Sequence, residues 1–187
     1  MSGAQRSERL RVVNLRSGLA GPFDIAIAAG ECLAITGPSG SGKSLFLRMI
    51  ADLDPAQGEV FLDGIERRSI PAPAWRRRAV YNAAEPGWWS ESVADHFGGA
   101  AMSFARTLAP RFGLAPALLN GQVVRLSTGE RQRLALIRAL ALDSPVLLHD
   151  RLAAGVAIAM VTHSPEQAAR LGHRHLRMAG RRLVPVT

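Results

Sequence analysis

Apolar residues along this chain fall into alternating, continuous and helical runs, and the order of those runs predicts its elements. LRVVNL (10–15) and FDIAIAAG (23–30) alternate apolar and polar residues, as half-buried strands do. ECLAIT (31–36) is nearly continuous, as a parallel strand covered on both faces should be. In SLFLRMIADL (44–53), Phe46, Met49, Ile50 and Leu53 recur at i, i+3, i+4 and i+7 and predict one buried helical face. GEVFLDGIERR reads as two short strands about a turn at Asp63–Gly64, and RRRAVYNA (76–83) reads as another strand. From Ser90 to about Gln122 the chain turns alanine-rich and helical, with breaks at Gly98–Gly99, Pro110 and Pro116. RQRLALIRALAL is a strong helix, and PVLL and VAIAMVTH are strands. SPEQAARLG opens with a capping box on Ser164, and HLRMAGRRLVPV closes as a hairpin.

Strands alternating with helices predict an α/β fold. A length of 187 residues predicts one domain, residues 1–187, in which the helical stretch 90–128 forms a small inserted subdomain. The formal charge of +8 raises the question of a nucleic-acid or anionic-membrane partner. The arginines are scattered, however, and only Arg76–Arg77–Arg78 forms a run, so a solvated basic surface is the simpler reading. The one cysteine, Cys32, lies in an apolar run, which fits a buried, inert thiol and a reducing cytoplasm. The polar N-terminus does not read as a signal peptide, and no window approaches the ~18 apolar residues needed to span a bilayer.

Two short motifs bring chemistry. GPSGSGKS (37–44) matches G-x-x-x-x-G-K-[ST] and lies between the continuous strand and the amphipathic helix, the context that motif requires. Gly37, Gly40 and Gly42 let the backbone come close to a ligand, so that N–H groups from Ser39, Ser41, Leu45 and their neighbours can ring a phosphate, with Pro38 shaping the same loop without an N–H of its own. Lys43 is placed to reach the outer phosphates and Ser44 to ligate Mg²⁺ through its hydroxyl. LSTGE (126–130) puts Ser127, Thr128, Gly129 and Glu130 at the start of the strong helix. That helix N-terminus and the Ser127 hydroxyl form a candidate second phosphate receptor, although the same residues also suit a plain helix cap. Two receptors on one chain suit two copies facing each other head to tail.

GPSGSGKS, LSTGERQRLALIRAL and the histidine of VTHSPEQA, in that order and at those spacings, resemble the nucleotide-binding subunit of an ABC transporter over almost the whole chain. The resemblance implies a P-loop NTPase fold: a RecA-like mixed sheet with flanking helices, N-terminal antiparallel strands and a small helical subdomain. It implies ATP and Mg²⁺ as cofactors, a homodimer formed on ATP binding, and a separate membrane permease that holds the subunit at the inner face of the cell membrane, on the cytoplasmic side. It implies no nucleic-acid partner. A regulatory or nucleic-acid-associated ABC protein without a permease is the alternative. The GEVFLDG turn, the WRRRAVYNAAEP segment and the short helical insert look most like small bacterial subunits of the metal- or iron-export type.

The departures from the family pattern matter as much. Residues 10–22 hold no aromatic ring to stack on adenine, and Leu15 or Arg16 occupies that place. Ala84 stands where a metal-sensing glutamine is expected, with Glu85 beside it and Trp88–Trp89 following; one of these tryptophans is a candidate anchor for a permease helix, and a cap on the helical insert is the alternative. Asp150 falls at the position of the Mg²⁺-binding aspartate, and His163 at that of the histidine near the γ-phosphate. Arg151 stands where the family has its catalytic glutamate, and thirteen positions separate Asp150 from His163 where the family has roughly thirty. The chain therefore resembles a family member with an internal deletion, in which RLAAG is too short for a usual parallel crossover. In a second alignment LLHDRLAAG is the end of the missing crossover helix, and Asp150 is no metal ligand. Impaired hydrolysis is the expectation under both.

Overall fold

The structure is a computed structural model that describes residues 8–149, 157–161 and 174–186, with 157–161 described by their main chain. These residues belong to two compact units, Met1–Tyr81 with Ser144–Thr187, and Asn82–Asp143. In chain order the first unit contributes β1 (Glu8–Arg16), β2 (Phe23–Ala28), β3 (Cys32–Thr36), α1 (Lys43–Ile50), β4 (Gln57–Leu62), β5 (Ile65–Glu66), α2 (Ala72–Arg78) and β6 (Ala79–Asn82, ending at the boundary). It resumes with β7 (Val146–His149), β8 (Ala157–Val161), β9 (Arg174–Ala179) and β10 (Arg182–Pro185). The second unit contributes α3 (Gly99–Leu108), α4 (Thr128–Leu140) and four short 3-10 turns.

The N-terminal strands form an antiparallel sheet in the order β2-β1-β4-β5. Leu10 faces Ile27 and Leu62 across the ladder, and Val12 faces Ile25 and Val60. All six are buried, so the period-2 alternation of 10–15 and 23–30 is one apolar sheet face. The second sheet runs β10-β9-β3-β8-β7-β6. Its centre is parallel: β3 pairs with β8 and β9, and β8 with β7. Leu33, Ala34 and Ile35 are fully buried, which is why β3 lacks alternation. Burial, and then Glu31 beside it, push the Cys32 thiol up, in line with an unreactive role. A separate core in the second unit gathers Phe97, Ala105, Leu119, Leu126, Leu134 and Ile137.

Three sequence readings are corrected. Residues 76–78 are the last turn of α2, and the strand begins only at Ala79. Pro73 sits in the first turn of that helix and three arginines end it, an arrangement that suits the helix dipole. Arg76 donates to the Asp52 carbonyl and Arg78 lies 3.6 Å from Asp63, so the basic run is tied into this unit. Leu53 does not continue the buried face of α1; it is 40% exposed. Asp52 adopts a left-handed φ of 60°, which ends the helix and turns Leu53 outward.

The third correction concerns the crossover. β7 and β8 pair in parallel, with Val146 opposite Ala157 and His149 opposite Met160, although only residues 150–156 connect them. An extended link of that length reaches roughly 26 Å, more than the roughly 15 Å needed to return along a four-residue strand and step across one strand spacing. The short link therefore permits the pairing. It does not have the dozen or more residues of a crossover that carries a helix.

Candidate phosphate-binding site

The loop between β3 and α1 closes around one ammonium group. Lys43 Nζ donates to the carbonyls of Gly37 (2.9 Å) and Pro38 (2.7 Å) and to Ser41 Oγ (3.3 Å). The side chain is 4% exposed, so this charge is held inside the loop and not in solvent. Two glycines make the wrap possible. Gly37 has a φ of 143°, and a Cβ there would meet the Met178 carbonyl at 2.7 Å. Gly42, the residue before α1, has a φ of 102°. At Gly40 a Cβ would meet nothing within 4 Å, so the loop is open on that side. Ser39 is exposed, and Ser44 is exposed with no hydrogen bond to its hydroxyl among the described residues. The Leu45 side chain packs against the core, which leaves its main-chain N–H as the group it can offer.

The two ends of α1 are treated oppositely. Its N-terminus has no side-chain cap and no acidic residue in the first turn. Its last carbonyls and the turn just beyond them are covered by donors: Arg67 on Met49 O (2.5 Å), Trp75 Nε1 on Ile50 O (2.9 Å) and, past the helix, Arg76 Nη2 on Asp52 O (2.7 Å). Both Arg67 and Trp75 are buried. The partial negative charge at the C-terminal end is thus answered by protein donors, while the positive end is left with orphan N–H groups beside Lys43. That donor set fits a phosphate. The Ser44 hydroxyl adds one hard oxygen of the kind Mg²⁺ takes.

The signature residues sit in the second unit and behave differently. Ser127 caps α4, and Glu130 folds back to form a complete capping box. The Glu130 carboxylate accepts from Ser127 Oγ (2.7 Å) and Ser127 N (2.8 Å), while Glu130 N donates to Ser127 Oγ (3.3 Å). Those bonds, with help from Arg133, hold the Glu130 carboxyl below the usual carboxylate range. Thr128 is exposed and Gly129 half-exposed.

A second cluster in this unit was only half visible in the sequence. Trp88 packs against the second core, whereas Trp89 is 70% exposed. The Arg138 guanidinium lies 5.0 Å from the Trp88 ring centroid and 4.7 Å from that of Trp89, and donates to Gly87 O (3.0 Å). Buried His96 accepts from Trp89 N (2.9 Å) and stacks obliquely on the Trp89 ring. Arg138 lies on α4, about fifty positions away in sequence, and no local spacing signals that it belongs here.

The family model described as ABC transporter matches residues 21–153. The chain belongs to the ABC transporter family. The thiamine import ATP-binding protein ThiQ of Mesorhizobium japonicum is 36% identical over 181 residues, covering 80% of this chain and 71% of that one. The probable iron export ATP-binding protein FetA of Escherichia coli is 32% identical over 139 residues, covering 70% of this chain and 62% of that one. Among solved structures, a bacterial Atm1-family ABC exporter with ATP bound superposes with a TM-score of 0.78 at 19% identity; the match covers 98% of this chain but only 39% of the exporter's length. The fold of this ABC chain is thus the α/β P-loop NTPase fold, as its mixed sheets and flanking helices require. The chain is thus similar to ABC ATP-binding proteins named for thiamine import as well as to one named for iron export.

Set against the ABC pattern, Leu15 is fully buried in the first core and cannot present a face to a base. Arg16 is exposed, its guanidinium held by Asn14 Oδ1 (3.0 Å) and Gln57 Oε1 (3.2 Å). Leu19 is 63% exposed, and it precedes Ala20, whose Cβ lies 3.6 Å from where a Cβ on Gly42 would stand. Ala84 is exposed, and its carbonyl accepts from Gln132 Nε2 (3.1 Å) on α4. Asp150, Arg151 and His163 lie outside the described residues.

Proposed function

We propose that this ABC domain binds Mg-ATP and, as a head-to-tail pair, serves a separate membrane permease. The observation that carries the reading is the polarity of α1: an N-terminus with no cap and no acid, backed by a buried lysine, on a helix whose other end is covered by Arg67, Trp75 and Arg76. Main-chain N–H groups from Gly37 to Leu45 hold the phosphates, and Lys43 supplies the positive charge for the outermost of them. Ser44 and Asp150 are the Mg²⁺ ligands in this reading, the metal serving to neutralise phosphate charge. The N-terminus of α4, with Ser127, Thr128, Gly129 and Glu130, receives the nucleotide of the second copy. Residues 90–128 act as the helical subdomain within one nucleotide-binding domain, 1–187. Replacing Lys43 removes the one compact charge in the loop. Lys43→Ala is expected to weaken ATP binding at least about tenfold, or about 1.4 kcal/mol, in titration calorimetry. Unchanged affinity would remove the loop from the account.

No helix among the described residues is long and apolar enough to cross a membrane, so in this reading the chain is held at the inner membrane face through the permease. Trp89 is the proposed anchor, since an exposed indole braced from below by Arg138 and His96 is pre-organised for burial in a partner. Trp89→Ala is expected to weaken co-purification with the permease at least tenfold while ATP binding is kept. Equal recovery of the complex would show that the permease docks elsewhere.

A further inference from the structure

One apolar side chain stands exposed beside the phosphate loop. Leu19 is the most exposed large hydrophobic residue described in the first unit. Its loop is pinned from two sides. Ser17 N donates to Ala20 O (2.9 Å) and Leu19 N to Ser17 Oγ (3.2 Å), which closes the turn on itself. Arg181, in the turn between β9 and β10, donates from Nη1 to Leu19 O (3.0 Å), and its carbonyl accepts from Gly21 N (3.1 Å). Ala20 is buried and sets the loop against Gly42, the residue before α1. The other exposed large hydrophobics of this unit have no such place: Leu53 lies past the far end of α1, Ile65 on β5, and Val184 and Val186 on or after β10.

We propose that Leu19 is the face on which the nucleobase rests and that this contact does not read the base, so that the site takes nucleoside triphosphates by their phosphates, ATP and GTP nearly alike. The proposal rests on the nucleotide-binding reading given above. A fixed apolar side chain beside a phosphate receptor suits the flat face of a ring carried by the phosphates. Adenine and guanine differ in the donors and acceptors along their edges. Telling them apart needs a polar group aimed at those edges, because a purely apolar contact separates ligands of like shape only weakly. The Leu19 side chain has no polar atom, and its N–H and carbonyl are both spent within the unit. The two guanidinium groups that flank the loop are committed as well, Arg181 to Leu19 O and Arg16 to Asn14 and Gln57. Leucine also lacks a π face, so the base is held by dispersion, which follows contact area and not the pattern of the edge.

Calorimetric titration of the full chain with Mg-ATP, Mg-GTP and, with Mg²⁺, inorganic tripolyphosphate tests this. ATP and GTP are expected to bind within about threefold of each other. Leu19→Trp, at an exposed position, gives the base an aromatic partner. It is expected to tighten both nucleotides at least about fivefold, to leave tripolyphosphate unchanged, and to show quenching of the new indole by nucleotide. A difference between ATP and GTP of about tenfold or more, in either direction, would overturn the base-indifferent contact and leave the phosphate reading intact. Leu19→Trp that tightens neither nucleotide, or that shifts tripolyphosphate equally, would place the base elsewhere and overturn the proposal in the same way. Failure of all three ligands to bind would overturn the phosphate reading and the proposal with it.

Discussion

Phosphate release from ATP by the unmodified chain is expected to stay near background, at least about a hundredfold below that of a chain with a positioned base. Hydrolysis needs an oriented water and a metal held in place. The position after Asp150 holds Arg151, and a guanidinium keeps its proton and cannot accept another. General-base assistance is worth roughly 10²–10⁴-fold. The imidazole of His163 is a weaker base for this step than a positioned carboxylate with its partner residues. The link of residues 150–156 allows β7 and β8 to pair but has no length for a glutamate-bearing loop followed by a helix. Arg151→Glu alone is therefore expected to stay inactive, whereas inserting a D-E-P-T segment with its helix between Leu148 and Arg151 is expected to restore turnover. Steady release at ordinary transporter rates by the unmodified chain, lost in Lys43→Ala, would show that the gap does not matter.

The largest expected effect on stability is at Trp75. This indole is fully buried in the first core and its Nε1 donates to the last carbonyl of α1. Trp75→Ala removes the ring's contacts and leaves that carbonyl without its donor. A loss of about 3–5 kcal/mol is expected, read as a lower denaturation midpoint in guanidinium. Trp75→Phe keeps most of the contact area and should cost only about 1–3 kcal/mol, chiefly for the lost hydrogen bond. Equal midpoints for the unmodified chain and Trp75→Ala would mean that α1 is not held from its C-terminal end.

These residues also mark where the sequence is readable. The strand, loop and helix from Cys32 to Ile50 follow from local pattern: a continuous apolar run, glycines at positive φ, then apolar positions at helical spacing. The supports of that helix are not local. Arg67 and Trp75 cover carbonyls eighteen and twenty-five positions away, and a string of arginines after an apolar residue suits a strand edge as well as a helix end. Leu53 fits the helical period, yet Asp52 ends the helix before the period reaches it. At Ser127 the capping pattern and the phosphate-receptor pattern share the same letters, and only the Glu130 rotamer tells that the cap is closed. Leu15 and Leu19 are the same residue type four positions apart, one in the core and one in solvent, and residue type alone does not separate them.

The most direct test of the account is a titration of the unmodified chain with Mg-ATP, with adenosine as the comparison. Recognition through the N-terminus of α1 and Lys43 predicts saturable binding of one ATP per chain, with adenosine at least about a hundredfold weaker because most of the affinity lies in the phosphates. Adenosine binding as tightly as ATP, or no saturable ATP binding at all, would contradict it.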